Sequence, residues 1–228
     1  MPRDEKTTSG SPGTRQRILL EAALLFHRHG YRGTSTRQIA EAVGIKQPSL
    51  FHYFRSKQSI LEELLSISLD ASLGAAQHAA SAEGPAALRL YDYVRWDLTN
   101  LHKLPFVLSG IYTHEVLQDP DLAPWGAKLK ALYAALCSLM DQGVRSGEFR
   151  PVSPSLGQAM IAGVTISHIG YAAEHTGDDP DELGVAGAQF ILGGLMRDPG
   201  SLDRLLADRK SQSEPTAQTP PAPHETDS

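Results

Sequence analysis

A single cysteine, Cys137, occurs in the 228 residues. It has no partner within the chain, so a disulfide framework is excluded and a reducing, cytoplasmic setting is expected. No window offers the ~18 consecutive apolar residues of a membrane span. The chain opens Met-Pro-Arg-Asp-Glu-Lys, without the apolar core of an export signal. There is no G-x-S-x-G elbow, no phosphate loop and no dinucleotide fingerprint, so neither a catalytic residue nor a cofactor is expected. Between residues 61 and 206, His78, His102, His114, His168 and His175 include no pair four apart around a carboxylate, and no metal site is expected either. Strand-like alternation is missing between Ser56 and Arg197, and no internal repeat is found.

What is present is unevenly distributed. Residues 1–60 hold ten Lys or Arg against four acids, a net of +6, and the remainder eleven against twenty-two, a net of −11; together they make the −5 of the whole chain. A basic head on an acidic body directs the head toward phosphate. Residues 1–13 and 207–228 are rich in Ser, Thr, Pro, Gln and charge, and disordered tails are expected there.

Within the head, residues 34–57 read as two short helices around a tight turn. Ser35 and Gln38 have the spacing of a capping box, so a helix should begin at Thr36, with Ile39, Ala40 and Val43 on one face and Gly44 at its exit. Pro48 fits only a first helical turn, which starts the second helix near Gln47. Leu50, Phe51 and Phe54 are expected to point inward. Gln47, Ser49, His52 and Tyr53 are then left toward solvent, which makes the pair a helix-turn-helix reading a major groove. Before it, Thr14 is the expected cap of a helix with apolar positions Ile18, Leu19, Ala22, Ala23 and Phe26. That helix should end at Gly30, with Phe26 touching Tyr31. After it, Ser56 caps a helix whose first turn carries Lys57, where the helix dipole disfavours a cation. Phosphate binding is the expected job of that lysine.

Through Ile18 to Leu61, with its Phe-x-x-x-Gly-Tyr, Thr-Ser-Thr-Arg-Gln-Ile-Ala and Tyr-Phe-x-Ser-Lys segments, the chain resembles the TetR (tetracycline-repressor-like) transcriptional regulators. The resemblance implies a homodimer with an all-α carboxyl-terminal domain that binds a small molecule and so controls release from an operator, more as repressor than activator. The expected organisation is a three-helix DNA-binding domain at 14–60 and a helical effector-binding and dimerisation domain at 61–206. Arg37 and Gln47 would reach base edges, with Ser49 and His52 assisting and Thr36 beside them. Lys46, Tyr53 and Lys57 would hold phosphates.

In the body, breakers at Gly84-Pro85, Pro105, Asp119-Pro120, Gly147 with Pro151, and Asp179-Pro180 cut the chain into helical lengths. Trp125, Leu129, Leu132, Leu136, Leu139 or Met140 and Val144 form an amphipathic stripe. Leu156 to Ala173 and Leu183 to Met196 are apolar almost all round. Each also carries widely spaced glycines, Gly163 and Gly170 in one, Gly187 and Gly194 in the other. These four are the candidate dimer interface. Asp97, Asn100, Tyr112, Tyr133, His168 and Tyr171 interrupt apolar helices and are the candidate ligand contacts, suited to a small aromatic or amphipathic effector. The competing readings are a regulator controlled by a protein partner without an effector pocket, an all-α enzyme with a vestigial helix-turn-helix, and a nonspecific DNA-packaging protein.

Overall fold

The computed structural model describes residues 13–113, 116 and 119–213, and these contain nine α-helices and no strand beyond one antiparallel bridge between Phe149 and Met196. The first helix, α1 (Thr14–Gly33), begins one residue earlier than expected. Gly13 already has the extended backbone that precedes a helix, so Thr14 is the first helical residue and caps nothing. At Gly30 the backbone turns to φ 73° and ψ 162°, a region open to glycine alone, and one further turn follows the kink. Buried Thr34 donates to the Leu25 and Gly30 carbonyls at 3.2 and 2.9 Å, satisfying acceptors near the bend. The contact between Phe26 and Tyr31 is made edge to face, with ring centres 5.3 Å apart.

Helix α2 (Thr36–Val43) starts on the Ser35 and Gln38 capping box and stops at Gly44, whose φ of 77° is left-handed. Helix α3 (Gln47–Tyr53) carries Pro48 in its first turn. Ser56 and Ser59 form a second capping box at the start of α4 (Lys57–Ser81). At 25 residues α4 spans about 37 Å, running from the head far into the body, so the expected boundary at residue 60 falls inside one continuous helix.

The body continues with α5 (Ala86–Lys103), 3-10 turns at Leu108–Gly110 and Pro120–Leu122, α6 (Ala123–Ser146), α7 (Pro154–Glu174), α8 (Pro180–Leu195) and α9 (Pro199–Ser213). Every breaker marks an end or a connection. Pro85 brings no side-chain acceptor to the start of α5. The Glu148 carboxylate does so instead, accepting from the Ala86 and Ala87 amides at 3.1 and 2.9 Å. Beside it Phe149 is fully buried, with its ring where a Cβ on Gly143 would stand 2.2 Å away. Burying such a ring contributes roughly 1.5 to 3 kcal/mol, and a side chain at position 143 would evict it. Helix α9 reaches Ser213, which corrects the expected tail at 207. Leu202, Leu205 and Leu206 seat it on the core, and past them Arg209 reaches back to Asp92 on α5 with contacts of 2.6 and 2.8 Å. The remaining tail residues, 1–12 and 214–228, lie outside the described residues. No helix among the described residues is long and apolar enough to cross a membrane.

Two cores result. One lies among α4, α5, α6 and α8, around Leu90, Leu98, Leu136, Leu139 and Leu192. The other fills the head with Ile18, Phe26, Ile39, Leu50 and Ile60, and continues without a break into Leu101, Leu108, Ile111 and Ile169 of the body. The joint between head and body is a packed interface. A Cβ on Gly110 would stand 2.4 Å from both the Phe26 carbonyl carbon and the His27 amide nitrogen, and the Ser109 hydroxyl lies 2.7 Å from His27 Nδ1.

Candidate DNA interface and effector cavity

Helix α3 is anchored by Leu50 and Phe54, both buried. Its carboxyl end is held by Arg15, which donates to the Tyr53 carbonyl at 2.9 Å, pairs through both arms with Glu63 and lies 4.3 Å above the Phe54 ring. Arg17 likewise donates to the Val43 carbonyl at the end of α2. Thr36, Arg37, Lys46, Gln47, Ser49, His52 and Tyr53 are brought together across the start of α2 and along α3. Gln47 Nε2 donates to Thr36 Oγ1 at 2.9 Å, which orients its amide. Among the described residues Arg37 is engaged by Glu41 alone, at 2.9 Å and in solvent, an exposed pair readily exchanged for a base or phosphate.

Two expectations for this surface are corrected. Lys57 Nζ donates to the Tyr31 and Thr34 carbonyls at 2.6 and 2.7 Å and lies 4.3 Å over the Tyr31 ring. Its Nζ is drawn back to close the carboxyl end of α1, where the dipole welcomes a cation, rather than held out toward phosphate. Phe51 is 45% exposed. Leu50 and Phe54, four apart, already occupy the buried side of a seven-residue helix, so Phe51 falls on the open side, four residues from Gln47. With Arg15, Arg17 and Lys57 all engaged inside the head, its outward positive charge is smaller than composition suggests.

In the body, Asp97, Tyr112 and Tyr133 line one cavity of about 60 Å³, together with Ser72 and Tyr93. Ser72 donates to Asp97 Oδ1, the Tyr93 hydroxyl lies 3.5 Å from Oδ2, and Tyr112 shares a 2.8 Å hydrogen bond with Ser68. Burial pushes the Asp97 carboxyl up to about 6 against the lowering effect of Ser72 and Tyr93. Burial also raises the Tyr93, Tyr112 and Tyr133 phenols. Tyr93 was legible as the residue one turn before Asp97. Ser72, twenty-five residues away on another helix, was not.

His168 does not join this group. It lines a second cavity of about 350 Å³ with His102, and Leu101 and Ile169 border both spaces. Desolvation lowers His168, opposed by its bond to the Leu98 backbone, and the nearby His102 lowers it further. Asn100 is half-buried and borders neither cavity. Tyr171 is 43% exposed, stacked 3.9 Å from His175 and donating to Asp178 at 2.8 Å. It lies near the exposed end of α7, past the last buried turn at Ile169, so it is removed from the ligand contacts. His114 lies outside the described residues.

The outer faces of α7 and α8 expose Leu156, Met160, Ile166 and Phe190, the last at 73%. Gly163, Gly170 and Gly194 have nothing within 4 Å of where a Cβ would stand. Gly187 is different. Its Cβ would stand 2.2 Å from Leu98 Cδ1, so it lets α8 approach α5 within one chain and is not an interface glycine.

Residues 18–64 match the family described as bacterial regulatory proteins, tetR family. The chain is 30% identical over 155 residues to the HTH-type transcriptional regulator RutR of Escherichia coli, covering 65% of this chain and 72% of that protein. It is similar to the HTH-type transcriptional repressor KstR2 of Mycolicibacterium smegmatis, 26% identical over 199 residues, which is 85% of this chain and 96% of that protein. With KstR2 of Rhodococcus jostii the match is 46% identical but spans 67 residues, 29% of this chain and 33% of that protein. Among solved structures, Mycobacterium smegmatis AmtR superposes with a TM-score of 0.68 at 31% identity, over 92% of this chain and 98% of that one. The helix-turn-helix head and helical body are thus shared with the AmtR structure over most of its length, RutR matches the chain in sequence over 155 residues, and the chain belongs to the tetR family of bacterial regulatory proteins as a DNA-binding transcriptional regulator.

Proposed function

We propose that this regulator acts as a homodimer which holds a pseudo-palindromic operator until a small, largely apolar effector enters the body. Two recognition helices engage successive major grooves only when about 34 to 36 Å apart, so a two-fold assembly is the natural reader of such a site. The exposed apolar faces of α7 and α8, with Gly163, Gly170 and Gly194 allowing close approach, support pairing of two copies there. KstR2, which this chain resembles, is named a repressor, and that supports repression as the direction.

The observation that carries the effector reading is the buried polar cluster of Asp97 with Ser72, Tyr93, Tyr112 and Tyr133 around a cavity in otherwise apolar helices. Ile169, on that cavity's wall, belongs to the same core as Phe26 and Ile18 of the head. A ligand that spreads the wall therefore presses on the joint at Gly110. Arg37, Gln47, Ser49, His52, Thr36 and Phe51 form the base-reading surface in this reading, with Lys46 and Tyr53 on the backbone. Sedimentation of the full chain with a duplex selected from a random pool tests it: two copies per selected site are expected, and a single copy on one half-site would overturn the dimeric reading.

A further inference from the structure

The ionisable groups around the 60 Å³ cavity are one-sided. Among the described residues its wall carries the Asp97 carboxyl and the phenols of Tyr93, Tyr112 and Tyr133, and no Lys, Arg or His. Asp97 is 4% exposed. One oxygen is well served by the Ser72 hydroxyl. The other has only the Tyr93 hydroxyl at 3.5 Å, the far limit of a hydrogen bond, and the Tyr112 hydroxyl is already shared with Ser68. A carboxylate accepts about four hydrogen bonds, and a buried one is costly unless it meets an opposite charge. Among the described residues none on this wall supplies that charge.

Resting on the reading of this cavity as the effector site, we infer that the effector is an amphipathic cation, a primary or secondary ammonium on an apolar body, whose N–H groups pair with Asp97. Tyr93, Tyr112 and Tyr133 supply aromatic surface suited to a cation, while Leu132, Leu136 and Ile161 receive the apolar part. The same arrangement rejects an anion, because a carboxylate or phosphate brought here meets Asp97 with no compensating base. The raised Asp97 pKa agrees with a carboxyl waiting for a counter-charge, and a bound ammonium would draw it back down. A ligand that outgrows the cavity finds space past Leu101 and Ile169, which also border the 350 Å³ neighbour.

The test uses the full chain and three probes on one skeleton, hexylamine, hexanol and hexanoate, with benzylamine, benzyl alcohol and benzoate as a second set, titrated calorimetrically at pH 7.5. The amines are expected to bind at least about ten-fold tighter than the matching acids. Asp97→Asn should abolish that preference and leave the alcohols nearly unchanged. Acids binding as well as or better than amines would overturn the cationic class while leaving the cavity as effector site. Failure of all six to bind the unaltered protein would overturn the effector site and the class together. The charge series on the unaltered chain decides the matter even if Asp97→Asn does not fold.

Discussion

Gly110 lies directly against the backbone of Phe26, so close that a Cβ on the glycine would stand 2.4 Å from the Phe26 carbonyl carbon. Neither side of that contact is a flexible side-chain tip, so an added methyl must push the head and body apart. Gly110→Ala is expected to cost roughly 1 to 3 kcal/mol in urea unfolding, as overpacking does, and to weaken operator binding because the head no longer sits at its set angle. Unchanged melting together with unchanged DNA affinity would show that this joint yields freely.

Lys57 provides a sharper discrimination between structure and contact. Lys57→Ala leaves the Tyr31 and Thr34 carbonyls without their donor and should destabilise the fold by about 1 to 3 kcal/mol. The slope of log affinity against log salt should stay the same, because no phosphate contact is lost. A slope reduced by about one unit would return Lys57 to the DNA backbone.

On the recognition helix, Gln47 and Phe51 share the open face. Gln47→Ala and Arg37→Ala should each cost about 1 to 3 kcal/mol of specific binding while nonspecific affinity changes less. The exposed Phe51 ring is suited to a thymine methyl, so Phe51→Ala should weaken a selected duplex about ten-fold. Replacing the contacted thymine by deoxyuridine should reproduce that loss and add nothing to it in the variant. Equal effects on selected and random duplexes would make Phe51 a backbone contact.

The pH dependence of stability carries the signature of Asp97. Its folded value of about 6 lies above the unfolded value near 4, so its contribution is full below about pH 4 and is lost as pH rises through about 6. Among the described residues the groups facing it are Ser72 on α4, Tyr93 on α5, Tyr112 after the 3-10 turn, Tyr133 on α6 and Thr165 on α7, none of which titrates in that window. Relative to the unaltered chain, Asp97→Asn should gain stability between pH 4.5 and 7.5 by on the order of 2 to 3 kcal/mol. A constant difference across that range would mean that the carboxyl ionises without penalty.

The head was legible because its signals are local. A capping box, a left-handed glycine and a proline in a first turn act over three or four residues, and all fell where expected. Phe51 was misplaced because three apolar residues in a seven-residue helix do not fix which side faces inward; the packing of Leu50 and Phe54 decides. Lys57 was misread because the carbonyls it closes lie more than twenty residues earlier. Gly163 and Gly187 look alike as residues, yet one opens to solvent and the other touches Leu98. The end of helix α9 beyond Leu206 was missed because that polar stretch gives no periodicity, and the partner of Arg209, Asp92, is 117 residues away.

Linkage supplies the most direct test of the central claim that filling the cavity at Asp97 releases the head from DNA. The tightest binder of the six-probe series should be titrated calorimetrically into the free protein and into the protein saturated with its selected duplex. The account predicts that the DNA-bound form holds the ligand about 5- to 150-fold more weakly, and that the ligand weakens DNA binding by the same factor. Equal ligand affinity in the two titrations would contradict it.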